Sequence, residues 1–196
     1  MNEVRKDKLN RVLNKRQFDI TVVMENVHDP HNIAAVMRTC DAVGIQELYI
    51  LNTTIPVHKK FGAKSSSSAS KWLTIHTYTE LEACIKALRF RYNKIFTTHL
   101  SDEAVPLYNL DLTESVALVF GNEHAGVSDE IRKLADGNFI IPQVGIIQSL
   151  NISVACAVTI YEAFRQKSLA NHYNHPNSKS DVIRKEVAKS WGLESE

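Results

Sequence analysis

The sequence predicts an α/β domain built on a parallel sheet. Three observations point there. Short β-branched runs such as Ile20–Glu25 alternate with segments of helical period. Ile20 to Leu51 holds a strand, a helix and a strand in about the span of one βαβ unit. The 196 residues, 44% apolar and 23% charged, suit one medium-sized domain with ordinary globular usage.

Taken in order, residues 1–17 form a basic N-terminal helix, with Val4, Lys8 and Val12 beside Leu9 and Leu13 at helical spacing over 3–15. Ile20–Glu25 is a strand, and Asn26-Val27-His28-Asp29 is the loop that leaves it. Asp29-Pro30 opens a helix, with an acceptor side chain at the cap and proline in the first turn. That helix runs to Val43, and Gly44 stops it. Leu48–Leu51 is the next strand. The stretch from His58 to Ser68 is serine-rich, carries three lysines and no acid, and reads as a surface loop. Trp72–Tyr78 is a strand, Glu80–Arg91 a helix, and Lys94–Thr98 and Ser115–Phe120 are buried strands. Ser128 caps a short helix, and Asn138–Ile141 is a strand closed by Pro142. The helix over Leu150–Arg165 is apolar nearly all round, which predicts burial on several sides. The polar extension, 168–196, carries a helix from Asp181 to Trp191.

Charge is uneven. The net +1 conceals +4 over residues 1–16, +2 over 163–196 and −5 over the body between them. Basic ends on an acidic body suit contact with a polyanion, or else they solvate two terminal helices. No apolar run approaches the ~20 residues of a membrane span, and the charged N-terminus holds no secretory apolar core. Cys40, Cys84 and Cys156 are odd in number and far apart, so reduced thiols in the cytoplasm are expected rather than disulfides or zinc. No glycine-rich dinucleotide turn follows a strand. Gly121 and Gly126 have P-loop spacing but lack the lysine that would follow. No nucleophile elbow supports a hydrolase. His172 with His175, and His28 with His31, have no acid or thiol to complete a metal site, so no metal is expected.

Three polar clusters remain, each at a strand's carboxyl end: Asn32 with Arg38, Gly121-Asn122-Glu123, and Gln148-Ser149-Leu150-Asn151. Ligands of open α/β sheets bind at such ends. Ordinary turn and cap chemistry competes with that reading, and for Ser149 and Asn151 helix capping alone explains both. Arg38 is less easily explained, because Met37, Thr39, Cys40 and Ala42 around it are core-like. A charge there needs a carboxylate or phosphate partner.

The segment Asn26–Ala42 (NVHDPHNIAAVMRTCDA) resembles motif 1 of the SPOUT class of RNA methyltransferases. Phe120–Ser128 (FGNEHAGVS) resembles motif 2, and Ile141-Pro142 through Gln148–Ala155 (QSLNISVA) resembles motif 3. The motifs stand in order and at family spacing over about residues 18–166. Within the class, the basic leading helix, the ending Glu162-Ala163-Phe164-Arg165-Gln166-Lys167 and the polar extension are similar to the TrmH family of tRNA guanosine 2′-O-methyltransferases. His124-Ala125 departs from that family's usual pattern.

The resemblance implies a SPOUT-type parallel sheet with a deep C-terminal trefoil knot, flanked by N- and C-terminal helices, with residues 18–167 as the methyltransferase domain. It implies a homodimer whose active sites use both chains. The reaction implied is S-adenosylmethionine-dependent 2′-O-methylation of a D-loop guanosine in tRNA, Gm18. Leu100, Gly121, Ile141, Ser149 and Leu150 would hold the cofactor, Gly121 because a Cβ would block its close approach. Arg38, Asn32, Glu123 and Asn151 would be the catalytic set. A guanidinium is never deprotonated in proteins, so Arg38 is expected to clamp a phosphate and orient the hydroxyl, whose proton goes to phosphate or water. Asn32 would position Arg38 or its loop across the dimer, Glu123 would pair with Arg38 or a second basic group, and Asn151 would order the cofactor loop. Arg5, Lys8, Arg16 and Arg165 are the expected tRNA-phosphate contacts, and Lys59, Lys60 and Lys64 either add to that surface or solvate a loop. The alternatives are a related ribosomal-RNA enzyme, a catalytically silent RNA-binding protein of the same fold, and an unrelated nucleotide-binding module.

Overall fold

The computed structural model describes residues 1–58, 69–101, 103–147, 149–174 and 181–193. Helix α1 (Glu3–Leu13) leads into β1 (Gln17–Glu25), α2 (Pro30–Val43), β2 (Ile45–Leu51), β3 (Thr74–Tyr78) and α3 (Leu81–Arg91). Then come β4 (Lys94–Thr98), β5 (Val105–Pro106), β6 (Val116–Phe120), α4 (Asp129–Leu134), β7 (Gly137–Ile140), α5 (Ile152–Leu169) and α6 (Asp181–Ser190). The seven strands form one sheet in the order β3-β2-β1-β6-β4-β7-β5, with every neighbouring pair parallel.

Local chemistry sets the boundaries of α2. Asp29 accepts a hydrogen bond from the His31 amide at 2.8 Å, and Pro30 occupies the first turn. Gly44 ends the helix at φ 84°, where a Cβ would stand 2.8 Å from the Lys15 carbonyl oxygen. Between these stops, Ile33, Val36, Met37, Cys40 and Val43 form one buried stripe. Each such side chain contributes about 1.5–3 kcal/mol on burial.

Alternation along the strands feeds two cores. On one face Ile20, Val22, Met24, Leu118, Phe120 and Phe139 pack against α2 and α5. On the other, Val23, Tyr49, Leu51, Ile95, Ala117 and Val119 pack against α3 and α4. A third cluster joins the chain's two ends: Leu9 and Leu13 of α1 meet Val187 of α6, Trp191 and Leu193 over Phe18 and Trp72.

Several expectations need correction. Strands β1 and β2 begin three residues earlier than their apolar runs, because Gln17, Gln46 and Glu47 are buried with polar partners. Glu47 accepts from the Tyr92 hydroxyl at 2.7 Å and from Arg91 at 2.5 Å, and His76 lies 3.3 Å away. Burial alone would raise the Glu47 pKa, but the hydrogen bonds from His76 and Tyr92, with the Arg91 charge, hold it below the ordinary value. Helix α5 starts at Ile152 and is not buried on several sides: Val154, Tyr161 and Phe164 are exposed along one stripe. Its last turn is pinned instead by a buried Lys167, whose ammonium donates to the Thr113 carbonyl at 2.9 Å and pairs with Asp19 at 3.0 Å.

Arg16 does not contact solvent, let alone a phosphate. It is 2% exposed, ion-paired with Asp41, donates to the Ile45 carbonyl, and stacks 5.3 Å over the Trp191 ring. Its place in the turn between α1 and β1 turns it inward, so it fastens the terminal cluster to α2 and β2.

The three cysteines are buried and free. Among the described residues no helix is long and apolar enough to cross a membrane. No group of three potential metal ligands converges among the same residues. Lys59, Lys60 and Lys64, the serine run, Gln148 and His175 lie outside the described residues.

Candidate active site

Strands β1 and β6 lie side by side, with Met24 opposite Phe120. The chain leaving β1 turns to α2 on one face, and the chain leaving β6 turns to α4 on the other. Diverging connections at adjacent carboxyl ends open a crevice there.

Each side of that crevice is fixed by short-range hydrogen bonds. Asn26 takes a left-handed conformation at φ 50°, and its Oδ1 accepts from the amides of Thr53 and Thr54 at 2.9 and 3.0 Å. The buried Glu25 carboxylate accepts from the Ser128 amide at 2.9 Å, tying the end of β1 to the start of α4. After β6, the Asn122 side chain accepts from the amides of His124 and Ala125 at 2.9 and 2.7 Å, and the Gly126 amide closes onto the Asn122 carbonyl. A Cβ on Gly121 would stand 1.9 Å from the Gly126 carbonyl carbon. Gly121 is thus required by the turn's own backbone, a different close approach from the one expected of a ligand.

Asn32 joins the three polar clusters. Its Nδ2 donates to Glu123 Oε1 at 2.7 Å, and its Oδ1 accepts from Asn151 Nδ2 at 3.2 Å. Asn151 Oδ1 in turn accepts from the Ser153 amide at 2.9 Å and from its hydroxyl at 2.6 Å, capping α5. A single chain of hydrogen bonds therefore runs from the cap of α5 through motif 1 to the motif 2 carboxylate. Among the described residues Glu123 pairs with Asn32 rather than with Arg38 or another base, because the first turn of α2 points the Asn32 amide at the β6 turn. Ser149 is exposed and two residues ahead of the cap, so capping does not explain it.

Arg38 is exposed, and so is Ala42 one turn on, so this face of α2 is not the core-like environment expected. Six residues beyond Asn32, Arg38 lies ~9 Å further along the helix axis and ~240° around it. Within one chain the two side chains do not share a face.

The other expected cofactor residues lie in loops that follow β4 and β7. Leu100 is 68% exposed, while Ile141 and Leu150 are half-buried. Between them Val144 and Ile146 are fully exposed and Ile147 largely so, on backbone with no regular structure. Solvent-facing apolar side chains on irregular backbone fit an adenosine: apolar walls with main-chain hydrogen bonding.

Of the expected phosphate contacts, Arg5 and Lys8 are exposed on α1. Arg165 is exposed too, but its guanidinium grips Glu162 with two hydrogen bonds of 2.8 Å, which lower that carboxyl's pKa. Lys185 and Lys189 of α6, exposed on a helix packed against α1, were not singled out from the sequence. Their helical spacing and basic context were the available signal.

Known proteins resemble this chain in sequence and in fold. A tRNA (guanosine(18)-2′-O)-methyltransferase of Thermus thermophilus is 38% identical over 188 residues, covering 95% of each chain. The crystal structure of the Aquifex aeolicus TrmH/SpoU tRNA modifying enzyme superposes with a TM-score of 0.86 at 35% identity, covering 99% of this chain and 98% of that one. The SpoU methyltransferase AviRb of Streptomyces viridochromogenes, in complex with the cofactor AdoMet, gives 0.71 at 25% identity, over 82% and 65% of the two chains. Residues 19–161 match the family described as SpoU rRNA Methylase, and the chain belongs to that family.

Proposed function

We propose that this protein transfers a methyl group from S-adenosylmethionine to the ribose 2′-hydroxyl of guanosine 18 in tRNA. One observation carries the reading: the Asn32 amide draws Glu123 and Asn151 into a single polar edge at the switch-point crevice. The near-complete mutual coverage with the Thermus enzyme supports the choice of substrate.

S-adenosylmethionine supplies an electrophilic methyl group on a sulfonium. The chain's own residues must hold the donor, aim the hydroxyl and dispose of a proton. Leu100, Ile141 and Leu150 give the apolar walls of the cofactor cleft, Ser149 adds a hydroxyl, and the Gly121 turn fixes the floor. Holding reactants in line converts a bimolecular step into an effectively unimolecular one. Glu123 is kept in place by Asn32, so its charge is fixed relative to the reacting hydroxyl. Arg38 cannot act as a base; it clamps an RNA phosphate and orients the hydroxyl toward an acceptor, phosphate or water.

Because Arg38 and Asn32 do not share a face of α2, a complete site needs the Arg38 of a second copy. The exposed stripe of Val154, Tyr161 and Phe164 on α5 is the surface that a homodimer would cover. The carboxyl-end loops 121–126 and 141–151 belong to a trefoil knot in this reading. Residues 18–167 form the methyltransferase domain, while 1–17 and 168–196 act together as an RNA-holding unit in a cytoplasmic enzyme. Arg5 and Lys8, with Arg165, contact tRNA phosphates.

The test is incubation of the protein with labelled S-adenosylmethionine and unmodified tRNA or rRNA, followed by nucleoside analysis. Label in 2′-O-methylguanosine from tRNA, lost when guanosine 18 is replaced, is the expected result. Label only from rRNA, or none at all, refutes it.

A further inference from the structure

On the face of the sheet that packs α3 and α4, a cavity of about 440 Å³ opens between β4, β7 and α4. Ile95 faces this side, so Thr97, two residues on, does too; Phe139 faces the other, so Asn138 turns here. Thr97 and Asn138 are direct cross-strand partners, and together they form the cavity floor. Arg132 reaches over them from α4, and His99 and Ser101 stand at the end of β4.

Three polar atoms of these lining residues are buried with no hydrogen-bond partner: Thr97 Oγ1, Asn138 Oδ1 and Arg132 Nε. Thr97 is fully buried. Buried polar atoms are nearly always satisfied, so three orphans around one cavity call for a ligand or ordered water. The neighbouring groups hold them rigidly. Asn138 Nδ2 donates to Ser101 Oγ at 2.9 Å, which leaves Oδ1 as the free end of a fixed amide. Ser101, accepting there, keeps its own hydroxyl proton to donate. Arg132 spends its terminal nitrogens on Asp129 and on His99 Nε2. A guanidinium only donates, so His99 Nε2 is the acceptor and its ring is neutral, in keeping with burial and the Arg132 charge lowering its pKa.

The result is an acceptor, a hydroxyl and a cationic N–H on wall residues, the atoms themselves closed off from solvent, beside an imidazole and a guanidinium, with Glu103, Asp129 and Lys133 also in the lining. A nucleobase edge presents donors and acceptors side by side. Unstacked RNA bases are held against His rings and Arg planes while their edges are hydrogen-bonded. We propose that this cavity receives an unpaired nucleobase of the RNA substrate, at a position apart from the nucleotide being methylated. The proposal rests on the methyltransferase reading above for the identity of that RNA.

Thr97→Val tests it, because it removes one orphaned hydroxyl and keeps the shape. The protein, saturated with S-adenosylhomocysteine, is titrated with each of the four nucleoside 5′-monophosphates and followed by calorimetry. At least one is expected to bind, and Thr97→Val to weaken it by about fivefold, the loss of one neutral hydrogen bond. KM for a tRNA transcript rises by a similar factor at unchanged kcat. Thermal stability holds or increases, since the hydroxyl has no partner in the free protein. A merely structural threonine would not separate binding from stability in this way. Asn138→Leu serves as the second variant, with the same expected loss of nucleotide affinity. Failure of every nucleotide to bind at millimolar concentration, or unchanged affinity and KM in both variants, overturns the proposal. A fall in S-adenosylhomocysteine affinity also overturns it and gives the cavity to the cofactor. Nucleotide binding that Thr97→Val weakens, in a wild-type protein that methylates no RNA, supports a nucleobase site while refuting the methyltransferase reading.

Discussion

Replacing Arg16 by methionine separates a fold-holding arginine from an RNA-binding one. The side chain is 1% exposed and its partner Asp41 is 35% exposed, so the ion pair is partly screened by solvent and adds only a fraction of the total. The long hydrogen bonds to the Asp41 and Ile45 carbonyls, both 3.4 Å, are weak individually. The guanidinium over Trp191 adds about 0.5–1 kcal/mol. With the carbonyls left unsatisfied, the loss comes to about 2–4 kcal/mol. For a chain of this size that lowers Tm by ~5–15 °C. Thermal unfolding at fixed protein concentration reads this directly. Lys8→Ala is the counterpart: Tm stays within a degree or two, while the slope of log tRNA affinity against log salt falls by about one. If Arg16→Met leaves Tm unchanged and instead lowers the salt slope by about one, the assignment of Arg16 to the terminal cluster is wrong.

Three further outcomes are expected. Gly121→Ala drives a methyl group into the Gly126 backbone and should cost ~3 kcal/mol and abolish S-adenosylhomocysteine binding by calorimetry; wild-type affinity would show that the turn yields. Asn32→Ala and Arg38→Ala should each lose turnover while binding the cofactor product normally. Refolded together they should recover about a quarter of wild-type activity, from the one intact site in each mixed dimer; a mixture as inactive as its parts excludes a composite site. Glu47, with its pKa held down, contributes stability that is fully present above about pH 4.3 and is lost as pH falls through the lower folded value. Glu47→Gln should therefore flatten the acid side of a urea-midpoint profile, and parallel profiles for both proteins would count against the network.

What was legible in the sequence follows from what was local. The limits of α2 were readable because Asp29, Pro30 and Gly44 act within a turn of the helix they bound. Strand β4 was readable from its own apolar run. Gln46 and Glu47 were missed as strand because their partners, Trp72, Tyr92 and Arg91, come from distant segments. The two-residue β5 has no periodicity to read. Three of the four expected catalytic residues meet in the structure, since motifs 1 and 2 leave the neighbouring strands β1 and β6 and the cap of α5 reaches Asn32. The wrong environment for Arg38 came from counting neighbours in sequence rather than around the helix. Arg16 misled in the opposite direction, because a terminal basic run gave no sign that its last member turns inward under Trp191. The burial expected for α5 assumed a lone chain that hides its own apolar surface.

The cluster that joins α1 to α6 has a consequence for biosynthesis. Leu9 and Leu13 leave the ribosome well before Val187, Trp191 and Leu193, which cover them. Until α6 is made, α1 carries its greasy side uncovered, and it docks only when that later helix has been released. A premature stop codon before residue 181 would leave this early helix without its lid, so loss of the tail would loosen the opposite terminus of the polypeptide as well.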